Sequence, residues 1–209
     1  MQRLLGERKF VKDPPVAKYT GVVTVGSASV SEDGILSGLT GGSYGRLPFP
    51  VSLQGLAWEV NVKCDYVGES GAGGVIGIGS GNGWCPIFYN NMRGVSSYLN
   101  QVQWPVLWDT YYGSSSYLAV DIPTGKHSVK VSFDKSKYRF FLDGVLKAEK
   151  ASTAECYCDH VQYHALGGNR GNDNFPGTFD LKECYIVIGD ELMWEGVAGA
   201  YTRAGGDSL

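Results

Sequence analysis

The residues that most resemble a metal-binding cluster lie between Cys156 and His164, with Cys158, Asp159 and His160 between them. Thiolate and imidazole are the usual ligands of zinc. If the segment is a strand, both thiols and both imidazoles share one face, but the two histidines stand about 13 Å apart. Unless a bulge or turn brings them together, a tetrahedral ion with ligands at about 2 Å cannot span that gap. The spacing favours a half-buried strand with packed thiols, and we predict no metal site.

Carboxylate pairs able to hydrolyse a glycosidic bond are the second candidate chemistry. Glycosidases hold two carboxyl groups about 5 to 10 Å apart across the scissile bond. Asp180 and Glu183 are an odd number of residues apart, so on a regular strand they face opposite sides. Glu59 and Asp65 would lie about 20 Å apart along a strand. A glycoside hydrolase is therefore the least favoured function, and we predict that the chain is not an enzyme.

A glycine-rich stretch, Gly77-x-Gly79-x-Gly81, follows an apolar pair, as it would in a dinucleotide-binding loop. Such a loop opens a helix whose N-terminus holds the pyrophosphate. Here Pro86 follows closely and no helical pattern is present. The glycines are more typical of a tight turn or of close sheet packing, and no cofactor is predicted.

Aromatic and amide side chains in Gly-rich segments are the strongest sign of a binding function. A sugar presents apolar C–H faces and a rim of hydroxyls, so its sites combine exposed aromatic platforms with polar donors and acceptors. The same aromatic residues could instead belong to the core or to a subunit interface. The candidate platforms are Trp84, Trp104, Trp108, Tyr111 and Tyr112. The candidate polar rim consists of Asn169, Arg170, Asn172, Asp173 and Asn174.

The elements that must position these groups are β-strands, because apolar and polar residues alternate with period two. Residues 57–66 are the clearest case, with an apolar face from Trp58 to Tyr66 and a wet face that includes Asn61. The chain has 30 glycines and 19% charged residues, a composition rich in turn residues and poor in helix formers. We therefore predict an all-β fold, a two-sheet antiparallel β-sandwich of the jelly-roll type.

A second alternation predicts consecutive antiparallel strands. Residues 127–133 and 138–142 alternate on either side of a short loop, and Asp143-Gly144 is typical of a two-residue hairpin turn with positive φ. Further strands are predicted at 145–149, 156–165 and 178–188, with short strands and aromatic loops over 84–118.

Charge, cysteine content and hydropathy exclude several classes of partner. The formal net charge is −3, so the chain has no basic field for nucleic acid. No run of eighteen apolar residues that could span a bilayer is present. The five cysteines are an odd number, and no export signal precedes them, so we expect reduced thiols and assembly in a reducing cytoplasm.

The chain divides into an arm, a domain and a tail. Residues 1–20 are polar and charged and are predicted to form an N-terminal arm, residues 21–198 the jelly roll, and residues 199–209 a C-terminal tail. The arm carries apolar side chains that a solvated tail would not need, which predicts docking on another subunit. The alternative is that the arm folds back and covers a sheet edge. The apolar arm residues are Leu4, Leu5, Phe10 and Val11.

The order of motifs over 118–195 resembles a known family. A strand leads to Lys126-His127, a strand, a short loop, an aromatic strand, Asp143-Gly144 and a returning strand, and the Gly-Thr-Phe-Asp strand follows later. This order is similar to the laminin-G-like group of concanavalin A-like jelly rolls, although the Trp of that group's Trp-His pair is missing here. The closing segment 189–195 resembles the ends of bacteriophage tail and fibre proteins with this fold.

The resemblance implies a sandwich whose rim loops or concave face bind glycans, proteins or neighbouring subunits. One fold hosts many functions, so we rank the expected functions from the most to the least favoured. The first is a non-enzymatic bacteriophage virion component, such as a head or tail fibre or decoration protein, assembled in the host cytoplasm. Its partners would be other virion proteins, copies of itself in a homo-oligomer, and host-surface glycans. The alternative is a free carbohydrate-binding module or lectin.

Overall fold

The chain folds into two β-sheets, here called sheet A and sheet B. The computed structural model describes residues 15–40, 42–48, 56–67, 73–79, 86–90, 101–106, 116–121, 123–151, 163–167 and 177–201. With strands numbered in chain order, sheet A contains β1 (Tyr19–Thr20), β3 (Ser29–Val30), β4 (Ile35–Ser37), β6 (Trp58–Tyr66), β11 (Gly125–Phe133), β12 (Lys137–Leu142), β13 (Val145–Ala151), β15 (Gly177–Asp180), β16 (Tyr185–Ile188) and β17 (Glu191–Glu195). Sheet B contains β2 (Val23–Val25), β5 (Tyr44–Arg46), β7 (Gly73–Gly79), β8 (Pro86–Asn90), β9 (Gln101–Val106), β10 (Ser116–Asp121) and β14 (Tyr163–Leu166).

The strand order defines a sandwich with almost entirely antiparallel pairing. Sheet A has the order β1-β17-β16-β6-β11-β12-β13, and β15 pairs with β6 and with β4. Sheet B has the order β10-β9-β8-β7-β14-β5-β2. The described ranges contain a single 3₁₀ turn at Leu181–Glu183 and no α-helix. No helix in these ranges is long and apolar enough to cross a membrane. The predicted all-β sandwich is confirmed.

Strand register places the core on one face of sheet A. Val60 lies opposite Val131 on one side and opposite Ile186 on the other. The row continues from Val131 to Phe140 and from Ile186 to Trp194. All five side chains have 0% exposure and belong to one hydrophobic cluster, which also contains a leucine of β14 in sheet B. The two sheets therefore share this core.

The alternation predicted from Trp58 to Tyr66 is confirmed as β6, and its apolar face is buried. Asn61 differs from the prediction because it is only 8% exposed. Its Nδ2 donates to the Glu183 carbonyl at 2.7 Å, and its Oδ1 accepts the Ser128 hydroxyl at 3.0 Å. A side-chain amide whose groups are hydrogen-bonded can be buried without a large penalty. The expectation that Asn61 faces water was therefore wrong.

The single strand predicted over 178–188 was also wrong. β15 ends at Asp180, and the 3₁₀ turn separates it from β16. The Asp180 carboxylate accepts the N–H of Lys182 at 3.1 Å, as an N-cap does, and Leu181 is buried. Asp180 and Glu183 therefore do not lie on one regular strand. Of the strand predicted at 156–165, only the part within β14 falls among the described residues.

The hairpin turn at Asp143-Gly144 is confirmed. Both residues have positive φ, 51° and 76°, and Leu142 lies opposite Val145. Positive φ at both central residues matches the right-handed twist of the flanking strands. β13 extends to Ala151, two residues beyond the predicted end.

The loop between β11 and β12 is organised by Asp134. One carboxylate oxygen accepts the N–H groups of Ser136 at 2.9 Å and Lys137 at 2.8 Å, and the other accepts Arg139 Nη1 at 2.7 Å. The hydroxyl of Ser136 also donates to this carboxylate at 2.7 Å. These hydrogen bonds, the one from the Ser136 hydroxyl foremost, outweigh the opposing effect of burial and hold the pKa of Asp134 well below its usual range.

Acid is expected to remove the stabilisation that Asp134 provides. Because the folded pKa is lower than the unfolded value of about 3.9, this stabilisation is complete at neutral pH and is lost as the pH falls below about 4. Asp134→Asn should therefore lower Tm at pH 7, and its difference from the parent should shrink in acid. Thermal unfolding of both proteins at pH values from 7 to 3 measures the difference in Tm. A Tm difference that stays constant over this range would contradict the prediction.

The two termini of the predicted domain are attached to sheet A. The Lys18 N–H donates to the Leu192 carbonyl at 3.1 Å, and β1 pairs in parallel with β17. Residues 18–20, the end of the predicted arm, therefore cover the edge of β17. At the other terminus the buried Glu195 carboxylate accepts the N–H groups of Gly199 at 2.7 Å and Tyr201 at 3.1 Å, which holds the start of the predicted tail. The arm residues Leu4, Leu5, Phe10 and Val11 lie outside the described residues, and their docking stays a prediction.

Candidate functional site

Most of the residues proposed for sugar binding fall outside the described residues. Trp104 is the exception, and its backbone lies in β9 opposite Leu118 of β10. The roles of all these residues stay predictions. Those outside the described ranges are Trp84, Trp108, Tyr111, Tyr112, Asn169, Arg170, Asn172, Asp173 and Asn174.

Strand directions show from which end of sheet B the connections start. β7 ends at Gly79, where the connection containing Trp84 begins. β9 runs in the same direction as β7 because both are antiparallel to β8, so the connection containing Trp108 begins at that same end. β14 starts beside Gly79 and runs antiparallel to β7, so it heads away from this end before the connection over 168–176. The connections that contain Trp84 and Trp108 therefore start from one end of sheet B, and the connection that contains the polar candidates starts from the other end.

The described residues include only part of the glycine stretch and of the Cys/His cluster. Gly77 and Gly79 belong to β7, an extended strand paired with β8 and β14. A paired strand at these positions differs from the helix-opening loop of a dinucleotide-binding site. Of the Cys/His cluster, only His164 is described, in β14. No group of potential metal ligands occurs among the described residues.

On the outer face of sheet A, register aligns side chains that are far apart in sequence. Lys130 lies opposite Phe141 on one side and Asn61 on the other. Asn61 also lies opposite Tyr185, and Phe141 opposite Leu146. We call these five residues the outer-face row. Leu146 is 48% exposed, while Phe141, Lys130 and Tyr185 are half-buried.

Hydrogen bonds and ion pairs tie the outer-face row together. Lys130 Nζ lies 4.6 Å from the centroid of the Phe141 ring and 3.5 Å from the Glu59 carboxylate. The Tyr185 hydroxyl donates to Glu59 at 2.7 Å, and the Tyr201 ring meets the Tyr185 ring edge-on at 4.7 Å. Burial and then the Glu59 charge raise the pKa of Tyr185 above its usual range. The phenol is therefore a hydrogen-bond donor and a poor nucleophile.

A histidine and an aspartate form a second polar contact, beside the Asp143-Gly144 turn. His127 Nδ1 lies 2.8 Å from Asp143 Oδ2, and Asp143 Oδ1 accepts the Ser128 N–H at 2.9 Å. Burial raises the pKa of Asp143, but these hydrogen bonds outweigh it and the pKa is lowered. A carboxylate can only accept, so Nδ1 carries the hydrogen. The nearby hydroxyl of Ser128 donates to Asn61 and not to this pair. The His127–Asp143 pair therefore links the turn to β11.

Two buried thiols complete the reactive groups of the described residues. Cys64 and Cys184 are free and buried, as expected for packed thiols. Desolvation raises the pKa of Cys64 to about 12, and it also raises the pKa of Cys184. Because the thiolate is the reactive form, the raised pKa lowers the reactivity of both groups at neutral pH.

Comparisons with known proteins give matches in structure alone. No protein-family model and no curated protein matches the chain. The sialidase of Trypanosoma rangeli in complex with 2,3-difluoro-KDN matches with a TM-score of 0.55 and 16% identity, over 82% of this chain and 27% of the sialidase. The same sialidase in complex with sialic acid gives 0.52 and 15% identity, over 81% and 27%. Domain 4 of AbnA, a GH43 extracellular arabinanase of Geobacillus stearothermophilus in complex with arabinotriose, gives 0.49 and 20%, over 81% and 77%.

These matches concern the fold. The chain spans 27% of the length of the sialidase that it matches, and an identity of 16% carries no residue-by-residue equivalence. This chain and the sialidase structures share a β-sandwich fold, and the match covers 82% of this chain.

Proposed function

We propose that this chain is a non-catalytic β-sandwich domain that binds carbohydrate. The observation that carries the proposal is the likeness of 82% of the chain to a sialidase structure, together with the complex of that sialidase with sialic acid. The aromatic composition of the segments near 84 and 104–112 supports the same function, because aromatic rings stack on the apolar C–H faces of sugars.

The absence of enzymatic activity is part of the proposal. Sialidases can use a tyrosine as nucleophile, and among the described residues the Tyr185 hydroxyl donates a hydrogen bond to the Glu59 carboxylate. The raised pKa of Tyr185 favours the neutral phenol over the phenolate. The second oxygen of Glu59 already faces Lys130, so the pair serves as part of a surface network.

The virion function has weaker support. It depends on the sequence resemblance of the segments 118–195 and 189–195, whereas the structural likeness favours the carbohydrate-binding alternative. Attachment to other virion proteins and location in a virion stay predictions. The two functions are compatible if a virion protein carries a glycan-binding sandwich.

Glycan binding is expected to depend on the aromatic segments that contain Trp84 and Trp108. The full chain should bind members of a glycan array that includes sialylated and neutral oligosaccharides. Trp84→Ala and Trp108→Ala should each weaken binding of the best array ligand by roughly tenfold, because ring stacking contributes about 0.5 to 1.5 kcal/mol beyond burial. Titration calorimetry measures the change in Kd.

The control is Phe141→Ala on the outer-face row, which should leave Kd unchanged. Circular dichroism and Tm of each variant check that the fold is intact. If binding is lost with Phe141→Ala and kept with both tryptophan variants, the site lies on the outer face of sheet A. If no array member binds at millimolar concentration, the proposed function is wrong.

A further inference from the structure

Sheet B has one face toward the core and one face away from it, and strand register assigns residues to each. Leu166 of β14 is 0% exposed and belongs to the core cluster. It lies opposite Gly45, where a Cβ atom would come within 2.7 Å of the core residue Leu36. On its other side Leu166 lies opposite Ile76, and Ile76 lies opposite Phe88 of β8. This row, including Phe88, therefore belongs to the core face.

The next residue of β8 begins a row on the other face. Successive residues of a strand lie on opposite faces, so Tyr89 lies on the face away from the core. The extra residue in the pairing here is Val75 of β7, and β8 itself is regular between Phe88 and Tyr89. Tyr89 lies opposite Gln103 of β9, and Gln103 lies opposite Ala119 of β10. We call this face of β8, β9 and β10 the distal face.

The sequences of β9 and β10 divide between the two faces in the same way. Register pairs Val102 with Val120 and Trp104 with Leu118 on the core face. The pairs on the distal face are Gln101 with Asp121, Gln103 with Ala119, and Pro105 with Tyr117. Apolar residues on one face and polar residues on the other are typical of a sheet that covers a core on one side. Trp104 is thereby assigned to the core, one of the roles open to it from the sequence.

The distal face carries the groups that an oligosaccharide site needs. Tyr89 and Tyr117 supply rings that can stack on the C–H faces of sugars, while Gln101, Gln103 and Asp121 supply hydrogen-bonding groups for hydroxyls. Two strand spacings and two residues separate the positions of the tyrosines, which is about 12 Å. This separation suits a chain of several sugar units better than a single sugar.

The charge of the distal face selects the class of sugar. β8, β9 and β10 contain neither lysine nor arginine, and Asp121 adds a carboxylate. Arg46 lies on the same face of sheet B, opposite Ala165, but β5 is three strand spacings from β8, about 14 Å. An acidic sugar brings a carboxylate of its own, and like charges brought together weaken binding. The distal face therefore favours neutral sugars.

We propose that the distal face binds a neutral oligosaccharide, with Tyr89 and Tyr117 as ring platforms and Gln101, Gln103 and Asp121 as hydrogen-bonding groups. The proposal rests on the carbohydrate-binding function proposed above, and it adds the residues and the ligand class. The connection that contains Trp108 begins where β9 ends, beside the Pro105–Tyr117 pair, so the two sets of variants concern neighbouring parts of sheet B.

A glycan array with matched members tests the ligand class. Neutral oligosaccharides such as lactose and arabinotriose are compared with acidic ones such as sialyllactose, which is lactose extended by sialic acid. The full chain should bind neutral members more tightly than their sialylated counterparts. Asp121→Asn should reduce this preference, because it removes the negative charge. Asp190→Asn, the same change at an exposed turn of sheet A, should leave it unchanged.

Variants of the distal face test the residues, with the best neutral array member as the ligand in titration calorimetry. Tyr89→Ala should raise Kd roughly tenfold through loss of ring stacking, and Gln103→Ala about fivefold through loss of a hydrogen bond. Tyr89→Phe keeps the ring and should retain most of the affinity. Circular dichroism and Tm of each variant confirm the fold.

The outcomes separate this inference from the proposed function. If a glycan binds but Tyr89→Ala or Gln103→Ala leaves Kd unchanged, the distal face is not the site, and the proposed function stands. A preference for sialylated members would likewise overturn the inference alone. If no array member binds, both proposals are wrong.

Discussion

Replacing Trp194 by Ala is expected to lower the free energy of unfolding by about 3 to 5 kcal/mol, the usual cost of removing a fully buried Trp or Phe side chain. Trp194 is 0% exposed and lies in the core row beside Ile186. Its indole N–H donates to the Gly21 carbonyl at 2.7 Å, and its backbone pairs with Tyr19. The substitution therefore removes core volume and also one of the hydrogen bonds that hold the segment around β1 on the sheet. Urea unfolding followed by tryptophan fluorescence and circular dichroism measures the change.

The conservative variant separates the two contributions. Trp194→Phe keeps most of the ring volume but loses the hydrogen bond to Gly21, so its cost should be smaller, about 1 to 2 kcal/mol. Val187→Ala, at a half-buried position on β16, serves as a control and should cost less than Trp194→Ala. If Trp194→Ala costs under about 1 kcal/mol, well below the usual cost of such a cavity, the indole is not part of the core as described.

Gly38→Ala is expected to have the second largest effect and to lower the free energy of unfolding by about 2 to 5 kcal/mol. Two sources contribute to this loss, the left-handed backbone conformation and a steric collision. Gly38 has φ of +74°, and a Cβ atom at this position would lie 2.5 Å from the Ser27 carbonyl oxygen. The left-handed conformation costs an L-residue about 1 to 2 kcal/mol. Collision with a backbone atom adds roughly 1 to 3 kcal/mol, because backbone cannot move aside as a flexible side chain can.

A matched glycine isolates the collision. Gly144 has nearly the same φ, +76°, and no atom lies within 4 Å of the position that a Cβ atom would occupy there. Gly144→Ala should therefore show the conformational cost alone. Thermal and urea unfolding of both variants give the difference. Equal losses for the two variants would show that the loop around Ser27 relaxes and that the close approach imposes no penalty.

The strands that could be predicted are those whose pattern is local. Alternation from Trp58 to Tyr66 and the Asp143-Gly144 turn depend on side-chain period and on backbone conformational preference, both of which the sequence carries within a few residues. The strand over 178–188 could not be predicted in the same way. Its interruption depends on a hydrogen bond from the Lys182 N–H to Asp180 and on burial of Leu181 in the hydrophobic core.

The outer-face row was missed, although a partial signal was present. In β12 the inward residues are Tyr138, Phe140 and Leu142, so Phe141 stands out as an aromatic residue on the opposite face of the strand. Nothing in the local pattern indicates that Tyr185 shares that face, because the two residues are joined by the pairing of β12, β11, β6 and β16.

Local sequence patterns were sufficient to establish that this protein is an all-β sandwich and which face of its clearest strands is buried, since both follow from period two and turn chemistry. Other features depend on tertiary structure. The fold buries Asn61 by placing Ser128 and the Glu183 carbonyl beside it, and it leaves β13 at an edge of sheet A. Long-range burial and pairing set strand order and register, and a strand's own residues do not encode which strand lies beside it.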